Sequence, residues 1–292
     1  PAVVLDFNPG LCSLIEEVKR QIGHTIEIDR VRREEGPIDI LVVGSSTAKR
    51  GFDPGGMTGE LGRSTMNAGV AGLFPTTMAT WTHEATRLSG DPSTIVLAVA
   101  TFHDFIECND YRRQKMEDAT IARDFAFQPL ELLAGIEPAR RMVGGDAATY
   151  RSSVLDEHNA RPASRGQTDS QDIPNIEAVA YHRQLYTPQM ANAEYCQQNA
   201  AAIDDLVEEL VDEGREVLLV SMPLAPAMAE LHPDGRAAHD VALDAYRSVA
   251  TDRGVEFLDL TDLLTAEEFL DLTHATSGGR TKITAATIEA LR

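Results

Sequence analysis

Lysine is nearly missing from this chain of 292 residues: Lys19, Lys49, Lys115 and Lys282 are all it has. Its 26 basic residues face 46 acidic ones, for a formal net charge of -20. A surface of that sign repels phosphate, so nucleic acid is not an expected partner. Docking on an anionic membrane surface is disfavoured for the same reason. An acidic, lysine-poor surface suits high salt, and genome composition can produce the same bias. Cysteine is also scarce. Cys12, Cys108 and Cys196 form no C-x-x-C or Cys/His pattern, which excludes a disulfide framework or a sulfur-bound zinc site. They read as buried or idle thiols. No apolar run approaches the ~20 residues of a membrane helix. The chain opens on Pro1 rather than Met, as if processed or cut from a longer one, so a missing leader or anchor carries no weight.

Nucleotide-binding signatures are missing too. G-x-G-x-x-G does not occur, and Lys49 lacks the preceding glycine of a phosphate loop. No cofactor is expected. No metal is expected either: the spacing of His232 and His239 sets up no carboxylate–histidine geometry, and they read as part of a solvated loop. His24, His83, His158 and His182 have no role legible in sequence.

What the chain does have is a set of short apolar runs. Hydrophobic residues make up 43% of it. Ile38 to Val43 is rich in Ile and Val and stops at Gly44, as a strand buried on both faces would. Ser64 to Asn67, Thr94 to Ala100, Glu216 to Met222 and Val255 to Leu260 read as four more strands. Between them lie a glycine-rich loop from Gly51 to Gly62 and a helix capped by Thr76 and ending near Gly90. A further helix is predicted to start at Thr187-Pro188 and close at Gly214, with Cys196, Ala200, Ile203, Val207, Leu210 and Val211 on its apolar face. Two more are predicted over Ala237 to Asp252 and Thr284 to Arg292. Strands alternating with helices predict a three-layer α/β/α domain with a five-stranded, mainly parallel, flavodoxin-like sheet over 37–292. Residues 1–36 read as a lead-in with a helix ending near Gly23. Residues 106–186 read as a lid or insertion, with a mobile polar loop over Asn159 to Asp172.

The chemistry-bearing residues fall at the carboxyl ends of these strands, where α/β sheets open their ligand crevices. Ser46 follows the first strand, Gly72 the second, His103 and Asp104 the third, and Asp271 and His274 the fifth. A serine hydroxyl needs a base within hydrogen-bond reach and a third group to orient that base. His274 can be the base and Asp271 the orienting group. The amides of Ser46 and Gly72 can donate to a developing oxyanion.

These blocks, in this order, resemble the SGNH (GDSL-like) hydrolase family over roughly Ile38 to Thr284. Gly44-Ser45-Ser46 matches the family's Gly-x-Ser block. Asn67, Gly69 and Gly72 match its Asn-x-Gly-x-x-Gly loop, and Asp271, His274 and either Gly278 or Gly279 match its last block. Two positions depart from the pattern. Ser45 replaces the usual Asp, and His103 stands where the third block has an Asn that donates to the oxyanion. A neutral imidazole can donate one N–H in its place. GSSTAKRGFDP looks most like the branch with the alginate O-acetylation proteins and the D-alanyl transfer protein of lipoteichoic acid. The resemblance implies Ser-His-Asp acyl transfer on an O-acyl ester, as esterase or O-acyltransferase. The substrate would be an acylated carbohydrate, surface polymer or small ester. It also implies an extracytoplasmic setting, an anchor outside this sequence, and a membrane acyltransferase as partner. The alternative is a catalytically degenerate module of the same fold that binds a glycan or a protein.

Overall fold

The computed structural model describes residues 36–106 and 176–292. The expected lead-in helix, the polar loop over Asn159 to Asp172 and most of the expected lid lie outside the described residues. Five strands form one sheet: β1 (Ile40–Gly44), β2 (Thr65–Asn67), β3 (Thr94–Val99), β4 (Glu216–Ser221) and β5 (Glu256–Asp259). Their order is β2-β1-β3-β4-β5, and every pairing is parallel. All residues of β1 and β3 are buried. Only a sheet covered on both faces leaves no exposed position along a strand, which is why these runs are continuous in Ile, Val, Leu and Ala.

The helices are α1 (Ser46–Gly51), α2 (Pro54–Leu61), α3 (Pro75–Leu88), α4 (His103–Ile106), α5 (Ile176–Met190), α6 (Gln197–Asp212), α7 (Pro226–Ala229), α8 (Arg236–Arg253) and α9 (Ser277–Ala290). α6 packs between α3 and α8, while α9 packs on α1 and α2. Ile203, Leu206, Val207 and Leu210 carry the buried stripe of α6 at helical spacing.

Chain reversal puts β2 on one side of β1 and β3 on the other. The β1/β3 boundary is therefore the switch point of the sheet, and the chain leaving β1 opens there. Gly44 makes the exit. A Cβ on it would stand 2.6 Å from both the Ala98 carbonyl oxygen on β3 and the Ala48 Cβ on α1. Only glycine lets α1 fold back that closely against the sheet.

Several local expectations are corrected. The glycine-rich stretch Gly51 to Gly62 contains α2, because Asp53 caps it by accepting from the Gly55 amide at 3.1 Å and Pro54 occupies the first turn. Phe74 rather than Thr76 precedes α3, with Pro75 at its first position. Thr187-Pro188 does not start a helix. It lies in the last turn of α5, where the missing proline N–H forfeits one hydrogen bond only, and α6 begins at Gln197. Val211 is exposed rather than on the buried face. The last helix begins at Ser277, capped by Thr276, whose hydroxyl accepts from the Gly279 amide. Cys196 is buried and disulfide-bonded rather than an idle thiol.

His232 and His239 do not sit in a solvated loop. Both are buried, and both rings pack on Phe105, at centroid distances of 4.9 and 5.1 Å. His239 Nδ1 lies 3.2 Å from Thr101 Oγ1. Burial, then the nearby His232 and Arg236, push the His239 imidazole down to about 4. The unfolded chain binds that proton near 6.5. Between these values the unfolded state holds more protons, so stability falls as pH is lowered through the window. The loss should reach roughly 3 kcal/mol at the acid end. His239→Gln keeps a partner for Thr101 and should flatten this part of the profile in urea unfolding from pH 7 to 4. A variant with the wild-type pH slope would contradict the assignment.

Candidate active site

Ser46 is the first residue of α1, and Ser45 is its N-cap. This settles what each hydroxyl faces. The Ser45 side chain is buried, accepts from the Thr47 amide at 3.3 Å and lies 2.9 Å from Thr47 Oγ1. Ser46 Oγ lies 2.9 Å from His274 Nε2.

His274 is delivered from the far edge of the sheet. The chain leaves β5, passes a 3-10 turn at Ala266–Glu268, and closes a loop in which the Leu270 amide donates to the His274 carbonyl at 2.7 Å. α9 then runs back to α1 and α2, where its Thr284 hydroxyl accepts at 3.0 Å from the amide of Asp53 between them. Within the loop, Asp271 folds its own turn. Its Oδ1 accepts from the amides of Thr273 and His274, at 2.7 and 2.9 Å, and from the Thr273 hydroxyl at 3.1 Å. That leaves Oδ2 facing His274 Nδ1 at 2.7 Å. A proton on Nδ1 is thereby favoured, and the lone pair of Nε2 points at Ser46.

Asp271 is 7% exposed at its side chain and His274 14%. Burial pushes the Asp271 carboxyl up, but the adjacent His182 and His274 and the Thr273 amide outweigh it and hold it well below the usual carboxylate range. Those neighbours thus favour the ionised carboxylate over the protonated acid.

The second block shapes the other wall. The Ala68 amide donates to the Val42 carbonyl at 2.8 Å and the Val70 amide to the Gly44 carbonyl at 2.9 Å, so the chain beyond β2 keeps running beside β1. Asn67 is fully buried and donates to the carbonyls of Ala48, Lys49 and Phe52 while accepting from the Gly69 amide at 2.9 Å. It ties α1 to this loop. Gly72 follows at φ +78° and is exposed, two residues beyond the bond to Gly44. His103 opens α4 and is buried, its ring edge-on to Phe74 at 5.0 Å and to Phe102 at 4.3 Å.

The structure thus brings Ser46, His274 and Asp271 into one hydrogen-bonded line. Gly72 lies beside the exit of β1. The described ring contacts of His103 are with Phe74 and Phe102, on the same wall. Sequence reasoning missed His182. It projects from α5 to within 3.3 Å of Asp271 Oδ1, with its ring 5.8 Å from that of His274. A lone histidine in a helix 89 positions from Asp271 carries no signal in spacing. Tyr186, one turn further along α5, packs on Phe102 at 6.0 Å, so α5 spans both walls.

No protein-family model matches the chain, and no curated protein does. Solved structures do. One is a protein from Streptococcus pneumonia provisionally named a platelet activating factor, similar at TM-score 0.55 and 13% identity over 98% of this chain and 100% of that one. Another is a GDSL-like lipase from Bacteroides thetaiotaomicron, at TM-score 0.50 and 10% identity over 93% of this chain and 100% of that one. The chain has the all-parallel α/β fold of the SGNH, or GDSL-like, hydrolases. At these identities the likeness is one of fold.

Proposed function

We propose that this protein is a serine-dependent esterase or O-acyltransferase of the SGNH type. The observation that carries the reading is the continuous line from Ser46 Oγ through His274 to Asp271, with contacts of 2.9 and 2.7 Å. In the first step Ser46 Oγ attacks the ester carbonyl carbon while its proton passes to His274 Nε2. The carbonyl electron pair moves onto oxygen, and the amides of Ser46 and Gly72 stabilise that oxyanion. Collapse expels the alcohol, which takes the proton from His274, and leaves an acyl group on Ser46. A second hydroxyl, from water or a sugar, gives its proton to His274 and attacks the acyl carbon. Collapse then frees Ser46, whose oxygen takes that proton back from His274. Water makes the protein an esterase, and a sugar hydroxyl makes it a transferase.

An acylated carbohydrate or surface polymer is the substrate class we favour, on the likeness of the serine block to the O-acetylation branch. An extracytoplasmic setting fits the disulfide at Cys196, since such bonds persist in oxidising compartments. A membrane anchor and a membrane acyltransferase partner belong to the same reading. The test is hydrolysis of an activated acetyl ester by the purified chain, followed by release of acetate from O-acetylated oligosaccharides. An inactive protein would contradict the reading.

His103 is the third oxyanion donor in this account. Losing one such donor typically costs about a hundred- to a thousandfold in turnover. His103→Ala should lose about that much in kcat with KM little altered, and His103→Asn should retain activity. Small, equal changes in both variants would reduce His103 to packing against Phe74 and Phe102.

A further inference from the structure

His182 poses a question that the acyl-transfer line does not answer. Its Nδ1 is buried and faces Asp271 Oδ1 at 3.3 Å, within ion-pair range, yet it makes no aligned hydrogen bond. Asp271 Oδ1 already has three better donors in its own turn. The nitrogen is thus poorly served as a donor and well placed as a ligand.

We propose that His182, Asp271 and His274 form a binding site for a divalent cation of the zinc class, and that the cation switches the serine centre off. One ligand atom from each residue lies within 4.8 Å of the other two. Two imidazoles and a carboxylate are the donor set that borderline cations such as zinc select, with a fourth position left for water. Donors on one tetrahedral zinc stand about 3.3 Å apart. The His182–Asp271 edge already has that length, and the other edges, at most 4.8 Å, must close to it for the face to form. The three side chains are 7–15% exposed, which lowers the competition from water. The ionised carboxylate and the chain's net charge of -20 draw cations in.

The consequence for chemistry follows from the imidazole's single proton. In the working state that proton sits on Nδ1 of His274, and Nε2 accepts from Ser46. A cation on Nδ1 displaces the proton there, binds the lone pair so uncovered and takes part of the Asp271 carboxylate. The ring's proton must then sit on Nε2, which becomes a donor and cannot accept the Ser46 proton. A cation on Nε2 instead would displace Ser46 outright. This inhibition rests on the reading of Ser46 and His274 as the reacting pair. The binding itself does not.

The test is calorimetric titration of zinc chloride into the full chain in a non-chelating buffer, for wild type, Ser46→Ala, His182→Gln and His182→Leu. Wild type and Ser46→Ala should each take up one ion per chain with similar affinity. Both His182 variants should bind about tenfold more weakly or worse. Circular dichroism checks that each variant is folded, and two replacements of different polarity guard against the failure of one. Ester hydrolysis by wild type should fall as the site fills and recover with a chelator. Each His182 variant, compared with its own metal-free rate, should need about tenfold more zinc. Failure to bind one ion per chain, or binding unchanged by either His182 replacement, overturns the site. Zinc bound through His182 by a chain without esterase activity would overturn the acyl-transfer reading and leave the site standing.

Discussion

Replacing Ser46 by alanine is expected to lower turnover of an activated ester by roughly a millionfold. The oxygen that attacks is gone, and among the described residues His274 Nε2 has no other hydroxyl partner. Ser45 is the nearest in sequence, but it is buried and its hydroxyl is engaged with Thr47. Residual rate from the amides of Ser46 and Gly72 should still exceed the uncatalysed reaction by about a thousandfold. Folding should be unaffected, because Ser46 contributes no cap to α1. Ser45→Ala should do the opposite. It removes the cap and costs about 1 kcal/mol of stability, while turnover is largely kept. The pair of variants, measured for both rate and urea midpoint, separates the chemical serine from the structural one. A Ser46→Ala protein within tenfold of wild type would contradict the assignment.

Asp271→Asn should cost about ten-thousandfold in turnover with KM little changed. The side chain keeps its shape, and its oxygen can still accept from the Thr273 and His274 amides. That places the new NH2 group where Oδ2 had been, 2.7 Å from His274 Nδ1. Two donors cannot face each other, so the imidazole turns over its tautomer and puts its proton on Nε2. There it can no longer take the Ser46 proton. The loss is one of protonation state with the geometry kept. A structure of the variant should show the 271–274 loop in place, and kcat should carry the defect. A loss expressed in KM, or one smaller than tenfold, would contradict this role.

Much of the architecture is legible in the sequence because a parallel sheet leaves a plain record. Strands buried on both faces read as unbroken runs such as Ile38 to Val43 and Thr94 to Ala100, and all five predicted strands form. Helix ends were harder, since caps compete. Asp53 captures the Gly55 amide and turns a glycine-rich stretch into α2, and Thr276 starts α9 ahead of Gly278-Gly279. In the second case tertiary packing decides. A Cβ on Gly279 would lie 2.8 Å from the Glu268 carbonyl oxygen, so the residue that looks like a helix breaker is what lets the helix dock. Pro188 misled in the other direction, because near the end of a helix a proline costs little.

For the site, the sequence could place Ser46, Gly72, His103, Asp271 and His274 at strand ends, but only the path of α9 shows how the last two reach Ser46. Asn67 was legible as part of a block, and its work became visible only in the three carbonyls it holds. His182 and the buried pair His232 and His239 were not legible. Their neighbours come from distant parts of the chain, and no periodicity encodes such contacts.

The most direct measurement of the central claim is labelling with a serine-directed alkyl phosphonate, followed by peptide mass spectrometry. The phosphonate reports a hydroxyl that has both a base and an oxyanion site, so it reads the assembled machinery rather than any one residue. The account predicts a single adduct on Ser46, formed slowly or not at all in Asp271→Asn. An adduct on Ser45, or an unmodified protein after prolonged exposure, would contradict it.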